Sequence, residues 1–208
     1  MVQYIADDVL ARLNVSRESL IKIESYVELL LTWQTKINLI GPSTIEDIWR
    51  RHVLDSLQLL PLMRKAEAIA DLGSGAGIPG LVLALGGNLR AELYESNGKK
   101  VAFLREAIRQ TKANASVRQI RLETLEDHLP EKIPQYVTAR ALAPLEKLLF
   151  WAEPLLKRGA IGLFHKGQGV DREMIEATKF WKMGAINRHA SMTDSDGIIL
   201  EVKEIARV

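Results

Sequence analysis

The sequence predicts an α/β fold, with a mostly parallel sheet, a C-terminal antiparallel hairpin and an N-terminal helical extension. Three observations carry this. Apolar residues recur at helical spacing through the first third. From about residue 67, short apolar runs alternate with amphipathic helices, which implies βαβ units. The first of those runs leads into a glycine-rich loop, "DLGSGAGIPG" (71–80).

Taken in order, Ser16 is a candidate N-cap. After it, Leu20, Ile23, Val27, Leu30, Leu31 and Ile37 fall on a helical face. "NLIGPST" (38–44) breaks that pattern. Ser43-Thr-Ile-Glu46 reads as a capping box for a second helix, carrying Ile48, Val53, Leu57 and Leu60 and ending near Pro61. "AIADLG" (68–73) is a strand, and "IPGLVLALG" (78–86) opens a helix with Pro79 in its first turn. "AELYES" (91–96) is a second strand, followed by an amphipathic helix over 97–113. "VRQIRLETLED" (117–127) reads as a third strand and its exit, and "YVTARAL" (136–142) as a fourth. A helix over 144–159, a strand over 160–167 and a last helix over 171–184 follow. Residues 185–192 and 197–205 close the sheet as a hairpin. The expected division is a helical region over 1–65 and a ligand-binding domain over 66–208.

Composition excludes several classes. The 208 residues are 47% apolar, with formal net charge +2, so a core of useful size can form. There is no cysteine, hence no disulfide framework, thiolate zinc site or cysteine nucleophile, and no metal is expected. No apolar run reaches the roughly 18 residues of a bilayer span. The start, "MVQYIADDVLARLN", lacks the basic-then-apolar order of a signal peptide, so the expected location is the cytoplasm.

The glycine loop fits two registers. Gly75-Ala-Gly77-Ile-Pro-Gly80 matches the dinucleotide fingerprint G-x-G-x-x-G. Asp71-Leu-Gly73-Ser-Gly75-Ala-Gly77 matches D-x-G-x-G-x-G, the loop of enzymes that bind S-adenosylmethionine (AdoMet). Both ligands want close backbone approach and an acid at the next strand end, which Glu95 supplies roughly 20 residues on. Asp71 separates them. A carboxylate repels a pyrophosphate, whereas the AdoMet ammonium and sulfonium are cationic. Pro79 also removes a donor that a phosphate would use. The reading therefore favours AdoMet over a dinucleotide, and a dinucleotide-binding oxidoreductase stays as the alternative of another class. Ligands in such sheets sit beyond the strand C-termini, which puts the Gly73 loop, Glu95, Leu125, Glu126, Arg140 and Lys166 on one rim.

The wider chain resembles the bacterial glucose-inhibited division protein B family, the small-subunit ribosomal RNA guanine-N7 methyltransferases. The resemblance rests on "KINLIGPSTIEDIWRRHVLDSLQLLP" (36–61), "DLGSGAGIPGLVLAL", "YESNGKKVAFLREA", "VTARALAPLEKLLFWAEPLLKRGA" and "FHKG", in that order. It implies a Rossmann-like AdoMet-dependent methyltransferase fold, with S-adenosylhomocysteine as product and 16S ribosomal RNA or the small subunit as partner. The implied cofactor contacts fall on Gly73, Ile78, Glu95, Leu125, Glu126 and Arg140, with Asp71, Ser74, Gly75 and Gly77 completing the loop. Where many members have Arg-Ala-Glu, this chain has Thr124-Leu125-Glu126. A monomer is expected, and methylation of another RNA or of a small molecule is the alternative within enzymes.

Guanine N7 carries a lone pair and no proton, so its methylation needs placement rather than a general base. The chain lacks the [DN]-P-P-[YF] tetrapeptide of amino-group methyltransferases and has "ARALAP" there. Arg140 and Lys166 are the candidate catalytic residues, Arg140 positioning guanine O6 or a phosphate and Lys166 contacting phosphate or base. His52 reads as a catalytic candidate or, favoured over that, as a helix histidine packed at the domain junction beside Trp49. Arg50 and Arg51 fit an RNA grip or a solvated face equally. Lys99, Lys100, Arg105, Arg109, Lys112, Arg118 and Arg121 form a basic run that suits a phosphate-tracking patch or a solvated face. Trp33, Trp151 and Trp181 are expected in packing roles.

Overall fold

The computed structural model describes residues 12–64 and 66–208. The N-terminal stretch read for a leader and the expected boundary at Lys65 lie largely or wholly outside the described residues.

Helix α1, Arg17–Gln34, begins as the sequence expects: the Ser16 side chain accepts the Ser19 amide at 3.1 Å. Its buried face, Ile23, Tyr26, Val27 and Leu30, joins the same apolar cluster as Leu81, Val82 and Phe103 of the sheet's covering helices. The helical extension thus shares its core with the sheet. The Tyr26 hydroxyl crosses that interface and donates to the Ala76 carbonyl in the glycine loop at 2.7 Å.

The second helix differs from expectation. Pro42–Thr44 form one 3₁₀ turn with no side-chain cap, and Thr44 Oγ1 donates to Gly41 O and accepts from His52. The helix starts six residues later, as a π-helical segment, Trp49–Leu54, that runs into a single α turn, Asp55–Leu57; together these are α2. The wider π turns send Trp49 and Val53 into the core while His52 and Asp55 reach the end of the sheet.

The sheet contains β1 (Ala68–Leu72), β2 (Arg90–Tyr94), β3 (Ala115–Arg118), β4 (Tyr136–Arg140), β5 (Ile161–Lys166), β7 (Ile186–Ala190) and β8 (Ile198–Val202). Their order is β3-β2-β1-β4-β5-β8-β7; the first five are parallel, and β8 and β7 are antiparallel. Helices α3 (Gly80–Gly87), α4 (Gly98–Thr111), α5 (Leu145–Leu156) and α6 (Val170–Ala177) connect the strands. Strand β1 is buried along its whole length, as a central parallel strand covered on both faces must be. The order reverses between β1 and β4, which sets the ligand crevice beyond their C-terminal ends.

The expected C-terminal hairpin is β7–β8. The last helix is shorter than expected. It stops at Ala177, and Trp181–Met183 form β6, paired with β9 (Ile205–Arg207) in a second, two-stranded sheet. Trp181 is buried there, its Nε1 donates to Glu146 O, and Arg207 stacks over Phe150. Burial of one tryptophan outweighs continuation of an exposed amphipathic helix. The third strand is also shorter than read, and Leu122–His128 coil as 3₁₀ helix. Among the described residues no helix is long and apolar enough to cross a membrane.

Candidate active site

The glycine loop links the end of β1 to α3. Gly73, Gly75 and Gly77 all have positive φ, at 67°, 56° and 86°, which L side chains rarely adopt. At Gly73 a Cβ would lie 2.3 Å from Leu142 Cδ1, so this glycine also admits the side chain facing it from beyond β4. Ser74 ties the loop inward: its amide donates to Tyr94 O and its hydroxyl to Asp71 O. Glu95 holds it from the β2 end, Oε2 accepting the Gly75 amide at 2.9 Å and Oε1 the Asn97 amide at 2.7 Å.

Beside the loop is a pocket of about 320 Å³. Gly73, Glu95 and Glu123 lie on its walls, with Tyr94, Ile120, Leu122, Leu142 and Trp151 as apolar surface and Lys100 and Arg121 also lining it. A flat heteroaromatic group with a hydroxylated sugar fits such a set: apolar walls to stack on, and Glu95, almost wholly buried, to accept from hydroxyls. A pyrophosphate would meet Glu95 and Glu123, with Asp71 buried beneath the loop.

A second pocket, about 610 Å³, opens on the other side of Ala141 and Leu142, which line both. Ala141 is held at φ 50°, a left-handed conformation costly for a residue with a Cβ, directly after Arg140. Arg140 Nη1 donates to Arg51 O at 2.6 Å and to Asp55 Oδ2 at 2.7 Å; Nη2 donates to His52 Nδ1. A guanidinium only donates, so His52 Nδ1 accepts and Nε2 carries the proton toward Thr44 Oγ1. Burial, then the Arg140 charge, lowers the His52 pKa to about 4. His165 also lines this pocket; its Nε2 donates to Asp55 O at 2.8 Å, and burial lowers its pKa too. Both histidines are therefore neutral at pH 7. Lys166 Nζ donates to Glu173 Oε2 and to Ala143 O, both at 2.7 Å. Arg51 meets Asp194 at 3.0 Å. The three cations lining this pocket, Arg51, Arg140 and Lys166, are each compensated by a carboxylate.

The residues expected on one rim are thus only partly brought together. Gly73 and Glu95 line the smaller pocket, and Arg140 and Lys166 the larger. Ser74, Gly75, Gly77 and Ile78 shape the loop but line neither. Asp71 departs most from expectation. It is fully buried beneath the loop, its Oδ1 accepts from Thr138 Oγ1 at 2.7 Å, and a Cβ on Gly80 would strike it at 2.5 Å. Its side chain points under the start of α3 and lines neither pocket. Leu125 is in the core, and Glu126 lines a separate depression with Arg207. The 3₁₀ coil after β3 presents Leu122 and Glu123 to the smaller pocket instead. Trp151 lines that pocket as well, besides carrying Lys147 over its ring. Arg50 and Arg51 bind Thr193 O and Asp194 of the β7–β8 loop, with side chains that stay 53% and 40% exposed. Glu173 carried no sequence signal beyond being an acid, and Asp55 only its place in the stretch "RRHVLDSL" that carries the family resemblance; their significance is in their partners.

Fold and pockets together define the class: a Rossmann-like, AdoMet-dependent methyltransferase. The chain belongs to the rRNA small subunit methyltransferase G (GidB) family, whose model matches residues 19–196. It is 45% identical over 202 residues to the ribosomal RNA small subunit methyltransferase G of Paramagnetospirillum magneticum, covering 97% of this chain and 96% of that one. It is 47% identical over 198 residues to the protein of the same name from Rhodospirillum rubrum, covering 95% and 96%. Among solved structures it superposes on the O-methyltransferase from Bacillus cereus in complex with S-adenosylhomocysteine. The TM-score is 0.57 at 16% identity, over 86% of this chain and 91% of that one, a likeness of fold.

Proposed function

We propose that the protein methylates N7 of a guanine in 16S ribosomal RNA, using AdoMet. The observation that carries this is the pair of pockets joined at Ala141–Leu142, one suited to the cofactor and the other to a neutral base. When bound, AdoMet supplies an electrophilic methyl group on a sulfonium. Gly73, Glu95, Leu122, Glu123 and Leu142 are the residues that would hold it, through backbone approach, hydroxyl acceptance and apolar contact.

The larger pocket suits N7 chemistry by what its groups can do. Its histidines are neutral: His52 uses both ring nitrogens, and His165 Nδ1, unpartnered among the described residues, is buried out of reach of the pocket, while its arginine and lysine are held by carboxylates. None is arranged to remove a proton, and an N7 lone pair has none to give up. Of the five N–H groups of Arg140, three are used by Arg51 O, Asp55 and His52; the others are free to hold the base carbonyl O6. Placement at near-attack distance is then the main task of these residues. Membership of the family supports ribosomal RNA as substrate. We place the protein in the cytoplasm as a monomer, with Lys99, Lys100 and Arg121 offered to RNA phosphates; all three are without an ion pair among the described residues.

The test is methyl transfer from labelled AdoMet to small-subunit RNA, followed by borohydride–aniline cleavage, which cuts at 7-methylguanosine. One new cut, absent without the protein, is expected. Label in RNA without that cut would overturn N7, and no label in RNA would overturn the substrate.

A further inference from the structure

Asp55 stands where four segments of the chain meet. Its Oδ2 accepts Arg140 Nη1 from β4, and its Oδ1 accepts Thr193 Oγ1, from the β7–β8 loop, at 2.5 Å. Gln58 Nε2, from its own helix, donates to Oδ1 at 2.8 Å, and the Asp55 carbonyl takes the His165 proton from β5. The side chain is 13% exposed. A carboxylate with three donors on two oxygens has no freedom to turn; against the upward pull of burial, His165 first and then Thr193 and Arg140 hold its pKa below the usual range.

We propose that Asp55 is the positioning residue for Arg140: it fixes the direction of the guanidinium and cancels its charge, so that Arg140 meets the base as a donor to a neutral carbonyl rather than as an anion-binding cation. This rests on the functional reading above. The charge balance follows from the neighbours. His52 is neutral, so Asp55 is the counter-ion bonded to Arg140, and Arg51 is matched by Asp194. Without Asp55 the guanidinium keeps Arg51 O and His52 as acceptors but gains a net charge facing a pocket meant for a base. Phosphate would then compete there.

The experiment compares wild type, Asp55→Asn, Asp55→Glu, Thr193→Val and Arg140→Lys, with turnover on small-subunit RNA, melting temperature and inhibition by inorganic phosphate. Asp55→Asn is expected to lose on the order of 100-fold in kcat, as misplacement of about an ångström does. Phosphate inhibition is expected to tighten about tenfold, and Asp55→Glu to recover part of kcat. Asp55→Asn added to Arg140→Lys should cost no more than about threefold further, because both act through one group. A kcat within about threefold of wild type, or losses that multiply, would overturn the proposal. Should Asp55→Asn not fold, Thr193→Val removes one donor only; a several-fold loss of kcat with unchanged melting supports the assignment, and wild-type kcat sinks it. If the wild type leaves ribosomal RNA unmethylated, the functional reading fails alone. The Arg140 guanidinium is then followed by ¹⁵N resonances, expected slowly exchanging in wild type and averaged in Asp55→Asn. Identical resonances in the two proteins overturn the role of Asp55.

Discussion

Arg140 and Asp55, 85 residues apart in the chain, meet at 2.7 Å on the wall of the larger pocket. Arg140→Ala takes a donor from Asp55 and from His52 at once. It is expected to lower kcat by 100-fold or more, of the order seen when a positioning group is lost, and to destabilise by about 1–3 kcal/mol. Arg140→Lys keeps the charge without the planar fork, so it should keep more stability than activity. Single-turnover methyl transfer and urea unfolding separate the two effects. Equal retention of both by the lysine variant would contradict the fork's role.

Lys166 and Glu173 form the second pair, and its two halves are unequal. The Lys166 side chain is 7% exposed, whereas Glu173 is 32% exposed and also accepts the Leu145 amide at the start of α5. Removing the acid leaves a buried cation with only the Ala143 carbonyl. Removing the lysine leaves an acid that keeps water and an amide. Glu173→Ala should therefore destabilise more than Lys166→Met, by about 1–3 kcal/mol. Urea midpoints in the reverse order would contradict this account.

Gly73→Ala tests the cofactor pocket. The new Cβ would fall 2.3 Å from Leu142 Cδ1, at a φ that already disfavours a side chain. Leu142 lines both pockets, so its displacement disturbs the cofactor pocket, and AdoMet affinity measured by calorimetry should fall at least tenfold, about 1.4 kcal/mol. Leu142→Ala in the same chain removes the clash and not the φ strain, so it should restore part of the loss. No recovery would place the whole effect in the backbone.

Two buried groups give opposing pH dependence. Burial raises Asp71 from 3.8 to about 6. The folded protein then holds this proton more tightly than the unfolded one, and that contribution is lost as pH rises from about 4 to 6. Burial and Arg140 lower His52 from 6.5 to about 4, so its contribution is present above 6.5 and lost as pH falls to 4. The slopes oppose each other over the shared window. Asp71→Asn removes the first, so its stability should fall more steeply than wild type between pH 6 and 4, by up to roughly 3 kcal/mol. Urea unfolding at pH 4, 5, 6 and 7 reads it, and parallel curves would show that Asp71 titrates normally.

The alternation of strand and helix, the glycine loop, Glu95 at the end of β2 and Arg140 at the end of β4 were legible in the sequence by itself. Each is a local pattern, set by burial period, by φ freedom or by place at a strand end. Even so, the loop's first residue was legible only as an acid: that Asp71 lies beneath the loop and not in the crevice depends on how α3 seats over β1. The 3₁₀ coil that offers Glu123 in place of Glu126 is likewise a matter of how a short helix turns against α5. The capping-box pattern at Ser43 starts no helix, the chain turning once as 3₁₀ helix before Trp49, and a helical pattern over 171–184 gives way to the burial of Trp181. Tertiary structure alone decided that Asp55 would face Arg140, and that each cation of the base pocket would have its acid. Those pairs join residues tens of positions apart, and their energies arise from desolvation and geometry that exist only after the sheet has assembled.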